Sequence, residues 1–169
     1  MKIKKIIATA MSSEYGDGKV LGQPNSKKSI VILKIYTDDL VGVGETYAGV
    51  YTPELCINVI NFFSMQLEGI DINDTVKINN IKDIPYIGRN GMISSVWSAI
   101  DIAMWDLKAQ ALNTSITEII SNKPSIKKNI YASGGSAAFN LEEIEKDIIE
   151  TTSKGFNAYK MRVGFQNWE

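Results

Sequence analysis

Residues 157–164 read NAYKMRVG, and as a strand they sort into two unlike faces. Side chains alternate along a strand, so Tyr159, Met161, Val163 and Phe165 share one face, and Ala158, Lys160, Arg162 and Gly164 the other. A strand that is apolar on one side and doubly cationic on the other has two homes. It can lie at a surface with both cations in water. It can also line the inside of a barrel, with its apolar face under a helix and its cations aimed at an anionic ligand. The residues before it narrow the architecture. Residues 128–133 are strand-like and Gly134-Gly135 break the pattern; Asn140 caps a helix over 141–154, which Gly155 ends. Strand, helix, strand with short connections is a βαβ unit, whose two strands run parallel. Two parallel strands cannot cover their own edges, so this region reads as the unfinished start of a larger sheet.

Upstream the pattern is different. Residues 1–11, 29–36 and 41–47 read as strands, the last following the Asp38-Asp39 turn. Residues 12–28, rich in Gly, Ser, Lys and Asp, form a longer connection than a hairpin needs, and such loops are either lids or floppy tips. Thr52 stands as an N-cap with Pro53 at the first helical position and Glu54 in the first turn, opening a helix over 53–67. Residues 70–87 hold one more small helix and a loop ending near Pro85. The strongest helix is 92–112, where Val96, Ile100, Ala103, Met104, Leu107 and Ala111 form one stripe. Asn113 serves as its left-handed stop, and 115–121 adds a helical turn. The pattern changes at Pro124, which places a domain boundary between 1–124 and 125–169.

Bulk chemistry excludes several classes. Lys plus Arg number 18 against 19 Asp plus Glu, and a net charge of −1 offers no global attraction to nucleic acid or anionic membrane. A chain 44% hydrophobic and 22% charged can bury a core. The opening MKIKKIIATAM has too short an apolar run for a signal peptide, and no stretch approaches a membrane span. Cys56 is the only cysteine, so no intrachain disulfide forms and a cytoplasmic location is expected. The chain has no histidine, which removes imidazole as base, zinc ligand or triad member.

Five segments, taken in order and spacing, carry a family resemblance: VILKIYTDDLVGVGETYAG at 31–49, YTPE at 51–54, SAIDIAMWDLKAQALN at 98–113, IYASGG at 130–135 and GFNAYKMRVG at 155–164. Together they resemble the N-terminal portion of the mandelate racemase/muconate lactonizing enzyme family of the enolase superfamily. The resemblance implies an α+β capping domain, a three-stranded antiparallel sheet plus helices over 1–124. The first βαβ of a (β/α) barrel follows over 125–169. A whole barrel takes about 250 residues, so most of one lies outside this sequence.

The resemblance also implies a chemistry, abstraction of a proton next to a carboxylate with magnesium stabilising the enediolate. Magnesium prefers hard oxygen ligands. The family's carboxylate ligands sit on the third to fifth barrel strands, so no metal ligand is expected within this chain. On the second strand the family places Lys-x-Lys or a variant, here Lys160-Met161-Arg162, with the cations about 6.6 Å apart along the strand. Carried over, Lys160 and Arg162 are the catalytic pair. Lys160 holds the substrate carboxylate or enolate oxygen, and Arg162 acts as clamp or as an atypical base, since arginine yields its proton far less readily than lysine.

Tyr15, Tyr47 and Tyr51 fall in the segments 15–28 and 46–51 that match the two family loops closing over the barrel mouth, and they are the implied substrate-binding residues. Glu45, in the V-G-x-G-E turn, reads as a structural hydrogen-bonding group. Asp101 and Asp106 lie about 140° apart around their helix, which suits interface or capping roles rather than paired acid–base work.

Two function classes follow. One is a magnesium-dependent sugar-acid dehydratase of the mandelate racemase group, with a racemase or cycloisomerase as the alternative chemistry. It would take a small-molecule carboxylate, an acid sugar, and form homo-oligomers at full length. The 169 residues alone are expected to be inactive. The other class is a non-catalytic capping-domain remnant that oligomerises or binds a partner chain. Whether the sequence is a natural product or a truncated reading frame separates the two.

Overall fold

The computed structural model describes residues 1–14, 27–50, 52–84, 91–121, 127–136 and 139–163. They cluster into two compact units, Met1–Ser13 with Lys28–Pro124, and Glu14–Lys27 with Ser125–Glu169.

The first unit is built on a three-stranded sheet in the order β1 (Lys5–Glu14), β2 (Lys27–Tyr36), β3 (Val41–Thr46). The β2–β3 register is antiparallel, from Val31 opposite Thr46 to Tyr36 opposite Val41. The contacts between β1 and β2 also run in opposite senses. Lys4 N–H donates to Tyr36 O at 2.7 Å near one end, and the Ser12 and Ser29 hydroxyls meet at 2.8 Å near the other. Alternation makes one face of the sheet apolar. Val31, Leu33 and Ile35 of β2 are fully buried, and on β3 the buried positions are Gly42, Gly44 and Thr46. Residues 37–40 turn the chain between these strands, with Thr37 Oγ1 accepting from Leu40 N–H at 3.1 Å.

Two long helices supply the apolar stripes that the sheet requires. Helix α1 (Pro53–Leu67) buries Cys56, Ile60, Phe63 and Leu67 at four-, three- and four-residue steps. Its Thr52 stands at the N-cap position but its side chain makes no capping bond, so Pro53 and the first-turn Glu54 mark the start instead. The short α2 (Thr75–Lys82) is capped by Asp74, whose carboxylate accepts from Lys77 N–H at 3.1 Å. Helix α3 (Gly91–Leu112) buries Val96, Trp97, Ala99, Ile100, Ala103, Met104, Leu107 and Ala109. Asn113, at φ 50°, ends it in the left-handed region. Helix α4 (Ile116–Ile120) follows with a full capping box from Ser115 and Glu118. Phe63 meets Trp97 edge-on with ring centroids 5.0 Å apart, joining α1 to α3 in one core.

The second unit is the expected strand–helix–strand: β4 (Ala132–Ser133), α5 (Leu141–Ser153), β5 (Tyr159–Lys160), with β4 and β5 parallel. Asn140 and Glu143 form a capping box at the start of α5, and Gly155, at φ 88°, follows its end. The strands are shorter than the anticipated 128–133 and 157–164. Pairing starts where Ala132 N–H reaches Ala158 O at 2.9 Å, and the residues before Ala132 carry strand-like composition without entering the ladder. Composition marks what can join a ladder; only a neighbouring strand makes it one. No helix among the described residues is long and apolar enough to cross a membrane.

Candidate functional site

The end of the β4–β5 ladder departs from regular parallel pairing. Gly134 N–H donates to Lys160 O at 3.0 Å, so a regular ladder would bring Arg162 N–H to Gly134 O. Arg162 N–H donates instead to Gly135 O, at 3.1 Å. The extra residue on the β4 side makes this a bulge. Gly135 sits at φ +59°, and a Cβ there would stand 2.7 Å from Met161 Cβ, so glycine suits the position for both conformation and space.

Helix α5 holds the bulge from its inner face. Glu143, Ile144, Asp147, Ile148 and Thr151 are the half-buried positions of α5, the last four at i, i+3, i+4 and i+7. Asp147 thus lies on the inner side of the helix beside Ile144 and Ile148. Its Oδ2 accepts from Gly135 N–H at 2.9 Å and from the Tyr159 hydroxyl in a short hydrogen bond. The Tyr159 hydroxyl and then the Gly135 N–H hold the Asp147 carboxyl below its usual range. Desolvation, followed by the bond to Asp147, pushes the Tyr159 phenol up to about 12.

Tyr159 therefore faces α5, and alternation turns Lys160 to the other side of the strand. Both Lys160 and Arg162 are exposed. Of the pair expected from the sequence, Lys160 ends β5 and Arg162 follows two residues on, its backbone N–H tied to Gly135 just past β4. Asp147 was not among the anticipated site residues. Its signal was present: an acid on the inner stripe of a helix, opposite a tyrosine whose hydroxyl needs a partner.

In the first unit, Tyr47 lies in a single 3-10 turn, 47–50, directly after β3, and is 59% exposed. The Lys28 ammonium lies over its ring, 5.4 Å from the centroid. Tyr15 and Tyr51 fall outside the described residues. Glu45 is exposed on the outer side of β3. Asp106 has the interface role anticipated for it, since its Oδ2 accepts from Val43 N–H at 2.8 Å across to β3. Among the described residues no group of three or more His, Cys, Asp or Glu side chains is gathered where it could hold a metal.

A three-stranded sheet under two long helices, followed by a βαβ unit with a cationic strand end, defines a recognisable class. The family described as "Mandelate racemase / muconate lactonizing enzyme, N-terminal domain" matches residues 21–121, and the chain belongs to it. Among its relatives, the L-talarate/galactarate dehydratase of Salmonella typhimurium is 27% identical over 171 residues, covering 93% of this chain and 41% of that enzyme. Its crystal structure, liganded with Mg and L-lyxarohydroxamate, superposes with a TM-score of 0.80 over 98% of this chain and 45% of that one; at 22% identity this superposition shows the fold. D-galactarolactone cycloisomerase of Agrobacterium fabrum is 29% identical over 148 residues, 82% of this chain and 38% of the relative. The structure of 3,6-anhydro-D-galactonate cycloisomerase from Zobellia galactanivorans matches with a TM-score of 0.76 and 29% identity, covering 98% of this chain and 44% of that one. The chain spans about two fifths of the length of these curated relatives.

Proposed function

We propose that this chain supplies the capping domain and the first two barrel strands of a magnesium-dependent enzyme that removes the proton alpha to the carboxylate of an acid sugar, ending in dehydration. The boundary between the two domains falls near Pro124. The observation that carries the reading is the pair Lys160 and Arg162, both exposed, with Lys160 ending β5 on the side away from α5 and Arg162 two residues further on. Two cations about 6.6 Å apart suit an anionic substrate that presents a carboxylate beside a hydroxyl. The guanidinium stays charged and can grip a carboxylate through two parallel hydrogen bonds. The lysine is a compact charge that can stabilise an oxyanion. The names of the relatives, cycloisomerases of D-galactarolactone and of 3,6-anhydro-D-galactonate and an L-talarate/galactarate dehydratase, support a sugar acid as the substrate class. Magnesium when bound would stabilise the negative charge that develops on proton removal, its ligands coming from barrel strands other than β4 and β5.

Deuterium exchange tests the reaction directly. The natural gene product carrying this sequence is incubated with magnesium and D-galactarate in D2O, and the alpha proton is followed by NMR. Wild type should wash out that signal, and Lys160→Ala and Arg162→Ala should each slow the loss by about 10²- to 10⁴-fold. A polypeptide of these 169 residues alone should leave the signal untouched. Unchanged exchange in both variants would remove Lys160 and Arg162 from the chemistry.

A further inference from the structure

Asp147 does more than tie a helix to a strand. One carboxylate oxygen accepts both the Gly135 N–H and the Tyr159 O–H, and each of those bonds acts on the cationic strand end from a different side. Through Tyr159 it fixes the face of β5 opposite Lys160. Through Gly135 it orients the peptide whose carbonyl accepts Arg162 N–H at 3.1 Å. We propose that Asp147 is the positioning residue of this site, holding the Gly135 bulge and the Tyr159 ring so that Lys160 and Arg162 are presented in one fixed direction to a carboxylate ligand. The proposal rests on the reading of Lys160 and Arg162 as an anion-binding pair.

Three features distinguish this from ordinary helix–strand packing. The acid occupies an inner-stripe position between Ile144 and Ile148, where an apolar side chain would bury more surface. The glycine turn leaves no spare room, since a Cβ on Gly134 would lie 2.5 Å from Asp147 Oδ2 and 2.8 Å from the Tyr159 hydroxyl oxygen. The ladder is also offset where it reaches Arg162, whose N–H bonds to Gly135 O and not to Gly134 O.

The test is amide hydrogen exchange by NMR on the natural gene product carrying this sequence, together with the Lys160 Nζ and Arg162 Nε side-chain resonances during titration with magnesium and D-galactarate. Wild type is compared with Asp147→Leu, Asp147→Asn and Tyr159→Phe. Asp147→Leu should speed exchange of the Gly135 and Arg162 amides by at least about tenfold, the loss expected for a hydrogen bond to a charged acceptor. The Ala132 amide, bonded to Ala158 O, should be unaffected. Asp147→Asn, whose amide oxygen can still accept from Gly135 N–H, should restore most of the Arg162 protection. Tyr159→Phe should weaken galactarate binding while sparing Gly135. Should Asp147→Leu loosen the whole unit, visible as faster Ala132 exchange, the Asn and Phe variants decide the matter.

An Arg162 amide that exchanges equally in wild type and in all three variants overturns the proposal. A wild-type chain in which galactarate moves neither Lys160 nor Arg162 resonances overturns the anion-binding reading instead. The exchange data then still report whether Asp147 holds Arg162 in place.

Discussion

Gly44 lies so close against Ala99 that a methyl group added to it would stand 1.9 Å from the Ala99 carbonyl oxygen. Gly42 meets Ala103 in the same way, at 2.2 Å from its carbonyl oxygen. Both glycines have the backbone of α3 as their neighbour, and a backbone cannot rotate aside as a side chain can. The V-G-V-G repeat of β3 is therefore the seat on which the long helix rests, and Ala99 and Ala103 are its matching small residues. Gly44→Ala should force strand and helix apart and destabilise the first unit by about 1–3 kcal/mol, the usual cost of overpacking. Urea unfolding followed by tryptophan fluorescence would read this as a lower midpoint with an unchanged slope. A midpoint within error of wild type would show that the seat has slack.

Helix α3 also seals the free edge of β3. Asp106 accepts from Val43 N–H at 2.8 Å, and Gln110 Nε2 donates to Val41 O at 2.9 Å. An unpaired strand edge invites pairing with another chain, and these two side chains occupy it. Asp106→Ala should cost about 1 kcal/mol, whereas Asp106→Asn, which keeps the acceptor, should cost less than half of that. Asp106→Ala combined with Gln110→Ala should also promote self-association, measurable by sedimentation at increasing concentration.

The acid limit of the first unit has a local component at α4. Glu118 Oε2 accepts from the Thr114 hydroxyl at 2.6 Å, the Ser115 hydroxyl at 2.8 Å and Ser115 N–H at 2.9 Å. These bonds, the Thr114 hydroxyl first among them, lower its pKa from the usual 4.5 to about 2. Because the folded value lies below the unfolded one, the stabilisation is complete above pH 4.5 and is lost as pH falls towards 2. Carboxyl carbon NMR should find Glu118 titrating near 2, and Thr114→Val should move that midpoint back towards 4.5. A midpoint at 4.5 in wild type would mean the capping box is not formed in solution.

Helix α5 should open far more readily than α3. Eight residues of α3 are buried, while α5 buries none and leaves Leu141 84% exposed. The capping box of Asn140 and Glu143 stabilises its first turn only. Amides in α5 should exchange at least about a hundredfold faster than those in the middle of α3, since thinly packed segments open at a fraction of the global unfolding free energy. Equal rates in the two helices would mean that α5 finds additional cover in solution.

The local order of this protein was legible in its residues. Alternation in 29–36, the stripe of 92–112, the stop at Asn113, the cap at Asn140 and the glycine at 155 each acts within a few positions, and each element appears where those signals place it. Thr52 shows the limit of such reading, since a suitable cap residue stands at the cap position without bonding there. The family resemblance then supplied the arrangement of elements and the Lys160–Arg162 pair as a candidate site.

What the linear order left undecided were the matters settled by groups distant in sequence coming together. Residues 128–131 have the composition of a strand, yet pairing begins at Ala132, because a ladder is as long as its partner allows. Gly42 and Gly44 could have marked a turn or a bulge; only the approach of α3, more than fifty residues later, makes them a packing surface. Asp147, Gly135 and Tyr159 are each unremarkable alone. A hydrogen bond depends on the position of its acceptor to within a few tenths of an ångström, and local propensity carries no such information. Propensity and periodicity therefore determined the elements of this protein, and tertiary packing decided which polar groups meet around Lys160 and Arg162.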